Sequence, residues 1–248
     1  MILFISDLHL DASRPSTTQA FYQFLDQLIH KKENNQAIEA LYILGDFFEL
    51  WIGDDDDDPF VIDVQKKLKH FTEQGIPVYF MKGNRDFLIG ENFATNSGVI
   101  LLDDPTLLEI NEHRILLMHG DTLCTNDIEY QRFRQQSRSQ EWMNSVLSQS
   151  LEERRAFGKQ LRQQSKTMSS RKAEDIMDVS EDAVISAIQE HNATTLIHGH
   201  THRPKRHEMI GIDKERIVLG DWDSHAWCLK FDVNENGKNA LALDSWEI

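Results

Sequence analysis

Asp7, His9, Asp46, Asn84, His119, His200 and His202 are the side chains in this sequence whose types and placement could hold metal ions. Each follows the end of a short apolar run. Ile2–Ile5 precede Ser6-Asp7-Leu8-His9, residues 41–44 precede Gly45-Asp46, and Val78–Met81 precede Lys82-Gly83-Asn84. Residues 115–118 then run into His119-Gly120-Asp121, and residues 195–197 into His198-Gly199-His200-Thr201-His202. In open α/β sheets ligands gather beyond the carboxyl ends of strands, so five such ends can bring seven side chains to one locus. A carboxylate, imidazole and amide set suits Mn²⁺, Fe²⁺ or Zn²⁺ better than an all-oxygen calcium cage. Seven ligands exceed one tetrahedral ion. They serve two ions, about 3.5 to 4 Å apart, if one carboxylate bridges, which is the arrangement used in phosphoryl transfer. Asp46 is the expected bridge.

The elements that must position these residues alternate as an α/β sandwich requires. Phe21, Phe24, Leu25, Leu28 and Ile29 lie at helical spacing over residues 17–32, with Pro15-Ser16 ahead as a start signal. A second helix carries Val61, Val64, Leu68 and Phe71 and stops at Gly75. Pro77 opens the strand before Asn84, residues 87–96 are expected to form a short helix closed by Gly98, and Ser180 is a good N-cap for a helix bearing Ala183, Val184, Ala187 and Ile188. Between His119 and Asp178 the rhythm breaks. That stretch lacks proline, is rich in Gln, Ser and Arg, and reads as an inserted helical cap at about residues 125–175 in one domain of 248 residues.

Net charge is −15, which argues against general nucleic-acid binding. Between Ile128 and Lys172, however, ten Lys or Arg face four Glu, a local +6 that suggests an anionic partner. Trp142, Met143, Val146, Leu147 and Leu151 form an apolar helical face that Phe157 and Leu161 continue. Packing on the main domain and lining a substrate channel are both open readings of it. Cys124 and Cys228 make neither a disulfide framework nor a zinc-finger spacing, which fits a reducing cytosol, and Cys124 reads as packing rather than a nucleophile. The chain opens on a strand, so no signal peptide is expected. No uncharged apolar stretch approaches the roughly 20 residues that span a bilayer. The acidic run 54–58 lacks the alternation and glycine of a calcium loop and is expected to be a solvated loop. His30, His70, His113, His191 and His207 are expected to be structural or surface residues, while His198 is open between orienting a ligand and core packing.

In order, Asp7-x-His9, Gly45-Asp46-x-x-Glu49, Gly83-Asn84-Arg85-Asp86, His119-Gly120-Asp121 and Gly199-His200-x-His202 resemble the calcineurin-like metallophosphoesterase superfamily over most of the chain. The resemblance implies a β-sandwich flanked by helices (αββα). It also implies two Mn²⁺ ions, one held by Asp7, His9, Asp46 and His202 and the other by Asp46, Asn84, His119 and His200. The fuller strings LYILGDFFELWIGDDD, GNRDFLIG and LIHGHTHRP resemble a branch acting on a UDP-linked diacylated glucosamine at the cytoplasmic face of the inner membrane. That branch implies substrate contacts from Asn84, Arg85, Asp127, Ser165, Ser169, Lys172 and His200, attack at the α-phosphorus, peripheral membrane attachment and no obligate protein partner. A soluble phosphodiesterase or protein phosphatase with the same two-metal centre is the alternative.

Two departures from the family pattern stand out. Arg85 occupies a slot where a histidine usually serves as general acid, and arginine stays protonated. An alkoxide leaving group wants a proton, but a phosphate with a second pKa of about 6 leaves readily near neutrality. Arg85 therefore reads as a charge stabiliser acting with Asn84 and His200, and favours a pyrophosphate substrate. Glu49 stands where the family often has Asp, and little is read from that change.

Overall fold

Two sheets lie face to face in the computed structural model, which describes residues 1–169, 176–209, 214–233 and 239–248. In chain order the elements are β1 (Ile2–Ile5), α1 (Pro15–Glu33), β2 (Ala40–Leu44), α2 (Pro59–Glu73), β3 (Val78–Met81), α3 (Glu91–Ser97), β4 (Ile100–Leu102), β5 (Thr106–Ile110) and β6 (His113–Met118). There follow α4 (Ile128–Ser137), α5 (Gln140–Leu147), α6 (Leu151–Ser169), α7 (Glu181–Glu190), β7 (Thr195–His198), β8 (Lys205–Met209), β9 (Lys214–Val218), β10 (His225–Val233) and β11 (Asn239–Glu247). One sheet has the order β11-β10-β1-β2-β3-β4 and the other β5-β6-β7-β9-β8.

The five strands that carry candidate ligands are the parallel centres of the two sheets. β1, β2 and β3 pair in parallel, as do β6 and β7. All their carboxyl ends therefore point to one edge of the sandwich. Every residue of β1 and β2 is buried, as expected for strands covered on both faces. Successive side chains alternate between layers. Leu3, Ile5, Leu41, Ile43, Val78 and Phe80 pack under α1, α2 and α3. Ile2, Phe4, Tyr42, Leu44, Ile115, Leu117 and Ile197 fill the space between the sheets. On the far face, Leu116, Met118 and Leu196 meet Val184, Ala187 and Ile188 of α7. The result is the expected αββα order.

Local signals explain most boundaries. Pro15 and Pro59 occupy the first turns of α1 and α2, where a missing N–H costs nothing. Asp58 and Ser180 accept from Phe60 N (2.9 Å) and Ala183 N (3.3 Å) as N-caps. Gly98 ends α3 at φ 74°. The helix expected over 87–96 begins only at Glu91. Residues 86–89 instead form a turn closed by Ile89 N to Asp86 O, and the side chain of Asp54 accepts from Gly90, Asn92 and Phe93 N at 2.9–3.0 Å, fixing the later start.

Candidate metal centre and adjoining cavity

The strand-end loops are bonded to one another before any ion is considered. Asp7 N donates to Gly45 O, His9 N to Asp46 O, and Gly199 N to His119 O, all at 2.9–3.0 Å. Asp86 is buried and accepts from Gly83 N (2.7 Å), Phe47 N (2.7 Å) and Phe48 N (3.3 Å), tying the loop after β3 to the loop after β2. Five of the seven candidate ligands have left-handed backbone: Asp7, His9, Asp46, His200 and His202 lie at φ between 48° and 67°. Such conformations cost roughly 1 kcal/mol or more for residues with a Cβ and gather at functional sites. Glycines make the close approaches possible. A Cβ on Gly45 would stand 2.5 Å from His119 Nδ1, and one on Gly199 would overlap Asp7 Oδ2 and Ser6 Oγ.

All seven side chains converge as two adjacent groups. Ligand atoms of Asp7, His9 and His202 lie within 4.8 Å of one another, and so do those of Asp46, His119 and His200. Asn84 Oδ1 joins the second group, 2.9 Å from His119 Nε2 and 2.7 Å from His200 Nδ1. Asp46 receives Arg85 N at 2.8 Å, and His119 Nε2 lies 3.6 Å from the same oxygen.

The arrangement fits divalent ions on its own terms. Asp7 Oδ1 is buried without a hydrogen-bond partner, and the Nε2 atoms of His9 and His202 face each other at 3.1 Å. Burial would push the Asp7 carboxyl up, but His202, His119 and His9 hold it well below the usual range. Burial would likewise lower His119, yet Asp46, Asp121 and Asp7 overrule it and raise the imidazole to about 9. His200 goes the other way: burial and the charge of His119 push it down to about 4, so its ring is neutral. Burial and the nearby Asp46 push Asp86 up to about 6. A locus of buried carboxylates held ionised by imidazolium is one where a cation can take the place of protons.

Beside the two groups lies a cavity of ≈ 190 Å³ that α4, α5 and α6 help to wall. Its polar lining includes Asn84, Arg85, Asp127 and Ser165, and its apolar lining includes Trp142, Val146, Phe157 and Leu161. The Trp142 ring stands between Phe87 and Phe157, with centroids 5.8 and 6.1 Å away. Of the apolar face read from sequence, Leu147 is exposed and Met143 and Leu151 are half-buried, and all three are outside this lining. Asp127 also caps α4, accepting from Tyr130 N at 3.1 Å. Ser169 is the last residue of α6, and Lys172 lies outside the described residues.

His198, Tyr130 and the acidic run take roles the sequence left open or missed. His198 is buried in β7 and hydrogen-bonds Gly199 O (2.8 Å); burial and the Arg216 charge hold its pKa down near 3, so it is a neutral packing residue behind the His200 turn. Tyr130 donates to Asp121 Oδ2 (2.5 Å), which Arg134 Nε also reaches (2.8 Å), and its ring lies 5.9 Å from His200. The spacing of Tyr130 and Arg134, one helical turn apart, was the available signal. The acidic run is solvated at Asp55 and Asp57, as expected, but all five carboxylates also have partners. Asp54 caps α3, Asp58 caps α2, and Asp55, Asp56 and Asp57 pair with Arg154 and Arg155 of α6. Among the described residues no helix is long and apolar enough to cross a membrane.

The sequence profile of the calcineurin-like phosphoesterases matches residues 1–204. The chain belongs to the calcineurin-like phosphoesterase family. This calcineurin-like phosphoesterase is 48% identical over 248 residues to the UDP-2,3-diacylglucosamine hydrolase of Cellvibrio japonicus (strain Ueda107), with 99% of each chain covered. It is 47% identical over 235 residues to the enzyme of the same name from Marinobacter nauticus, covering 94% of each. Among solved structures, an archaeal phosphodiesterase aligns over 98% of each chain with a TM-score of 0.47 and 15% identity.

Proposed function

We propose that this phosphoesterase hydrolyses the pyrophosphate bond of UDP-2,3-diacylglucosamine, giving UMP and 2,3-diacylglucosamine 1-phosphate in lipid A biosynthesis. The observation that carries this reading is the juxtaposition of two metal-ligand groups with a cavity lined both by polar side chains, Arg85 among them, and by aromatic and aliphatic ones. It occurs in a chain nearly half identical, over its full length, to hydrolases of that name. A nucleotide diphosphate matches the polar lining and acyl chains match Trp142, Val146, Phe157 and Leu161.

Asp7, His9, Asp46 and His202 are suited to hold one ion, and Asp46, Asn84, His119 and His200 the other, with Asp46 shared. Two divalent ions, for which Mn²⁺ is the proposed identity, supply Lewis acidity that makes water nucleophilic near neutral pH and polarises the phosphoryl oxygens. The chain's own residues do the rest. Arg85 reaches over Asp46, its Nε 3.7 Å from Oδ2, and lines the cavity, where its guanidinium can meet charge on a non-bridging oxygen at the α-phosphorus. Asn84 and the neutral His200 border the same space. No residue need donate a proton, because the departing sugar phosphate is already a good leaving group. Asp127, Ser165, Ser169 and Lys172 are proposed to contact the nucleotide or sugar. The segment 125–175 is proposed to act as a cap on a single domain, attaching the enzyme peripherally to the cytoplasmic face of the inner membrane through exposed apolar residues such as Phe133, Leu147 and Met168.

Metal-reconstituted protein offered UDP-2,3-diacylglucosamine, UDP-glucose and p-nitrophenyl phosphodiesters side by side tests the reading. Turnover concentrated on the diacylated substrate is expected. Equal turnover of the small esters with none of the lipid would return the chain to a general phosphodiesterase.

A further inference from the structure

Helix α6 seats on the loop after β2 along a single stripe. Arg154, Gly158 and Arg162, spaced four residues apart, lie on one face of the helix. Arg154 Nη1 donates to Ile52 O (2.8 Å) and Asp55 Oδ1 (2.7 Å). At Gly158 a Cβ would stand 2.8 Å from Leu50 Cδ2, so the backbone of α6 lies against the loop there. One turn further on, Arg162 Nε donates to Glu49 Oε1 (2.8 Å), and Arg162 Nη2 reaches the same oxygen.

The second oxygen of Glu49 faces inward. Glu49 Oε2 lies 3.1 Å from His9 Nδ1, within ion-pair distance but without hydrogen-bond geometry, while His9 Nε2 points at His202 Nε2, 3.1 Å away inside the first ligand group. One carboxylate thus spans from a cavity-wall helix to a candidate ligand, across 113 residues of sequence between Glu49 and Arg162. The backbone of Glu49 is fixed independently, its N–H donating to Leu10 O at 3.1 Å, so Arg162 constrains the carboxylate and not the strand end. The geometry has a direct chemical meaning. A histidine can offer Nε2 to an ion only as the tautomer with its proton on Nδ1, and a carboxylate this close to Nδ1 favours that tautomer and can accept its proton by a small turn of either group.

We infer that Arg162 and Glu49 are positioning residues, forming a relay through which the seating of α6 sets the affinity of the Asp7, His9 and His202 site for its ion. The inference rests on the proposed two-ion site and adds what tunes one half of it. Loss of Arg162 removes the guanidinium bonded directly to Glu49 and leaves only the more distant charges of Arg85 and Arg14, so the carboxylate, about a third exposed, can turn to water and away from His9 Nδ1. The second group, built on Asp46, Asn84, His119 and His200, has no such link to α6 among the described contacts.

The test is a Mn²⁺ titration of the metal-stripped full chain by calorimetry and electron paramagnetic resonance, comparing the parent with Arg162→Met, Glu49→Gln, Arg162→Lys and Arg155→Gln. Arg162→Met and Glu49→Gln should each weaken one of two sites about 10- to 100-fold, the usual range for groups behind a ligating histidine, and leave the other within about twofold. Arg162→Lys, which keeps the charge but not the fork, should fall between. Arg155→Gln removes the pairs to Asp56 and Asp57 from the same helix without touching Glu49, and should bind both ions as the parent does. Unfolding curves identify any variant that fails to fold, and Glu49→Gln then carries the test. A parent that binds two ions alongside an Arg162→Met protein with both affinities unchanged overturns the relay and leaves the two-ion reading standing. Equal weakening by Arg155→Gln also overturns it, because the effect would then be general loosening of α6. A parent that binds no ions at these residues overturns both.

Discussion

Replacing Gly199 by Ala adds one methyl group at the point where two strand-end loops cross. That Cβ would overlap Asp7 Oδ2 and Ser6 Oγ and lie 2.8 Å from Ser6 Cβ. None of these neighbours is the loose end of a long side chain. Ser6 and Asp7 are fully buried, and Asp7 Oδ2 is held by Ser6 Oγ (2.5 Å) and His200 N (2.9 Å). To restore van der Waals contact the Asp7 carboxylate must retreat by roughly 1 Å. Ligand distances tolerate only about 0.2 Å, so the retreat removes Asp7 as a ligand. Overpacking of this kind costs about 2 kcal/mol, which for a chain of this size lowers Tm by about 4–8 °C. Two assays separate the effects: metal content after reconstitution with Mn²⁺, and thermal unfolding of the metal-free protein. The expected result is one ion per chain or fewer, and a lowered Tm even without metal. Two ions bound at parental affinity would show that the Gly199 contact does not constrain Asp7, and the account of the strand-end loops would be wrong.

Arg85→His should lower turnover of UDP-2,3-diacylglucosamine about 10²- to 10³-fold while leaving metal content intact, as loss of a charge stabiliser does; parental kcat with the variant would remove that role from Arg85. Metal binding should release protons. His119 is raised from 6.5 to about 9 in the metal-free protein, so its proton stabilises that form below pH 6.5 and is lost as pH climbs through 9. At pH 7.5 an ion must displace it, and titration calorimetry in buffers of differing ionisation enthalpy should show about one proton released from this residue and affinity rising towards pH 9. Buffer-independent heats would contradict this. Trp142→Ala, which opens the aromatic wall between Phe87 and Phe157, should raise KM for the diacylated substrate at least about tenfold and change UDP-glucose turnover little; equal effects on both would reduce Trp142 to a packing residue.

The candidate ligand groups were legible because each pairs an apolar strand with a polar turn inside a few residues, and the parallel pairing of β1, β2, β3, β6 and β7 brings them together. Helix starts at Pro15 and Ser180 were marked locally, by a first-turn proline and by a capping serine. Elsewhere the chemistry depends on partners distant in sequence. The late start of α3 is set by Asp54, 36 residues before Gly90, and apolar Phe87 and Leu88 gave no hint of it. The run 54–58 gives no sign of its partners, because Arg154 and Arg155 arrive from about a hundred positions away. Glu49 looked like a neutral change of family pattern for the same reason. The outer strands were also silent: β8 (KRHEM) lies at a sheet edge with charged residues facing water, so it has no apolar run to announce it.

Hydrolysis in ¹⁸O-labelled water tests the central claim most directly. Reconstituted enzyme and UDP-2,3-diacylglucosamine should give UMP carrying one ¹⁸O and an unlabelled 2,3-diacylglucosamine 1-phosphate, because attack falls on the phosphorus next to uridine. Label in the sugar phosphate instead, or no hydrolysis of this substrate by protein that holds both ions, would contradict the assignment.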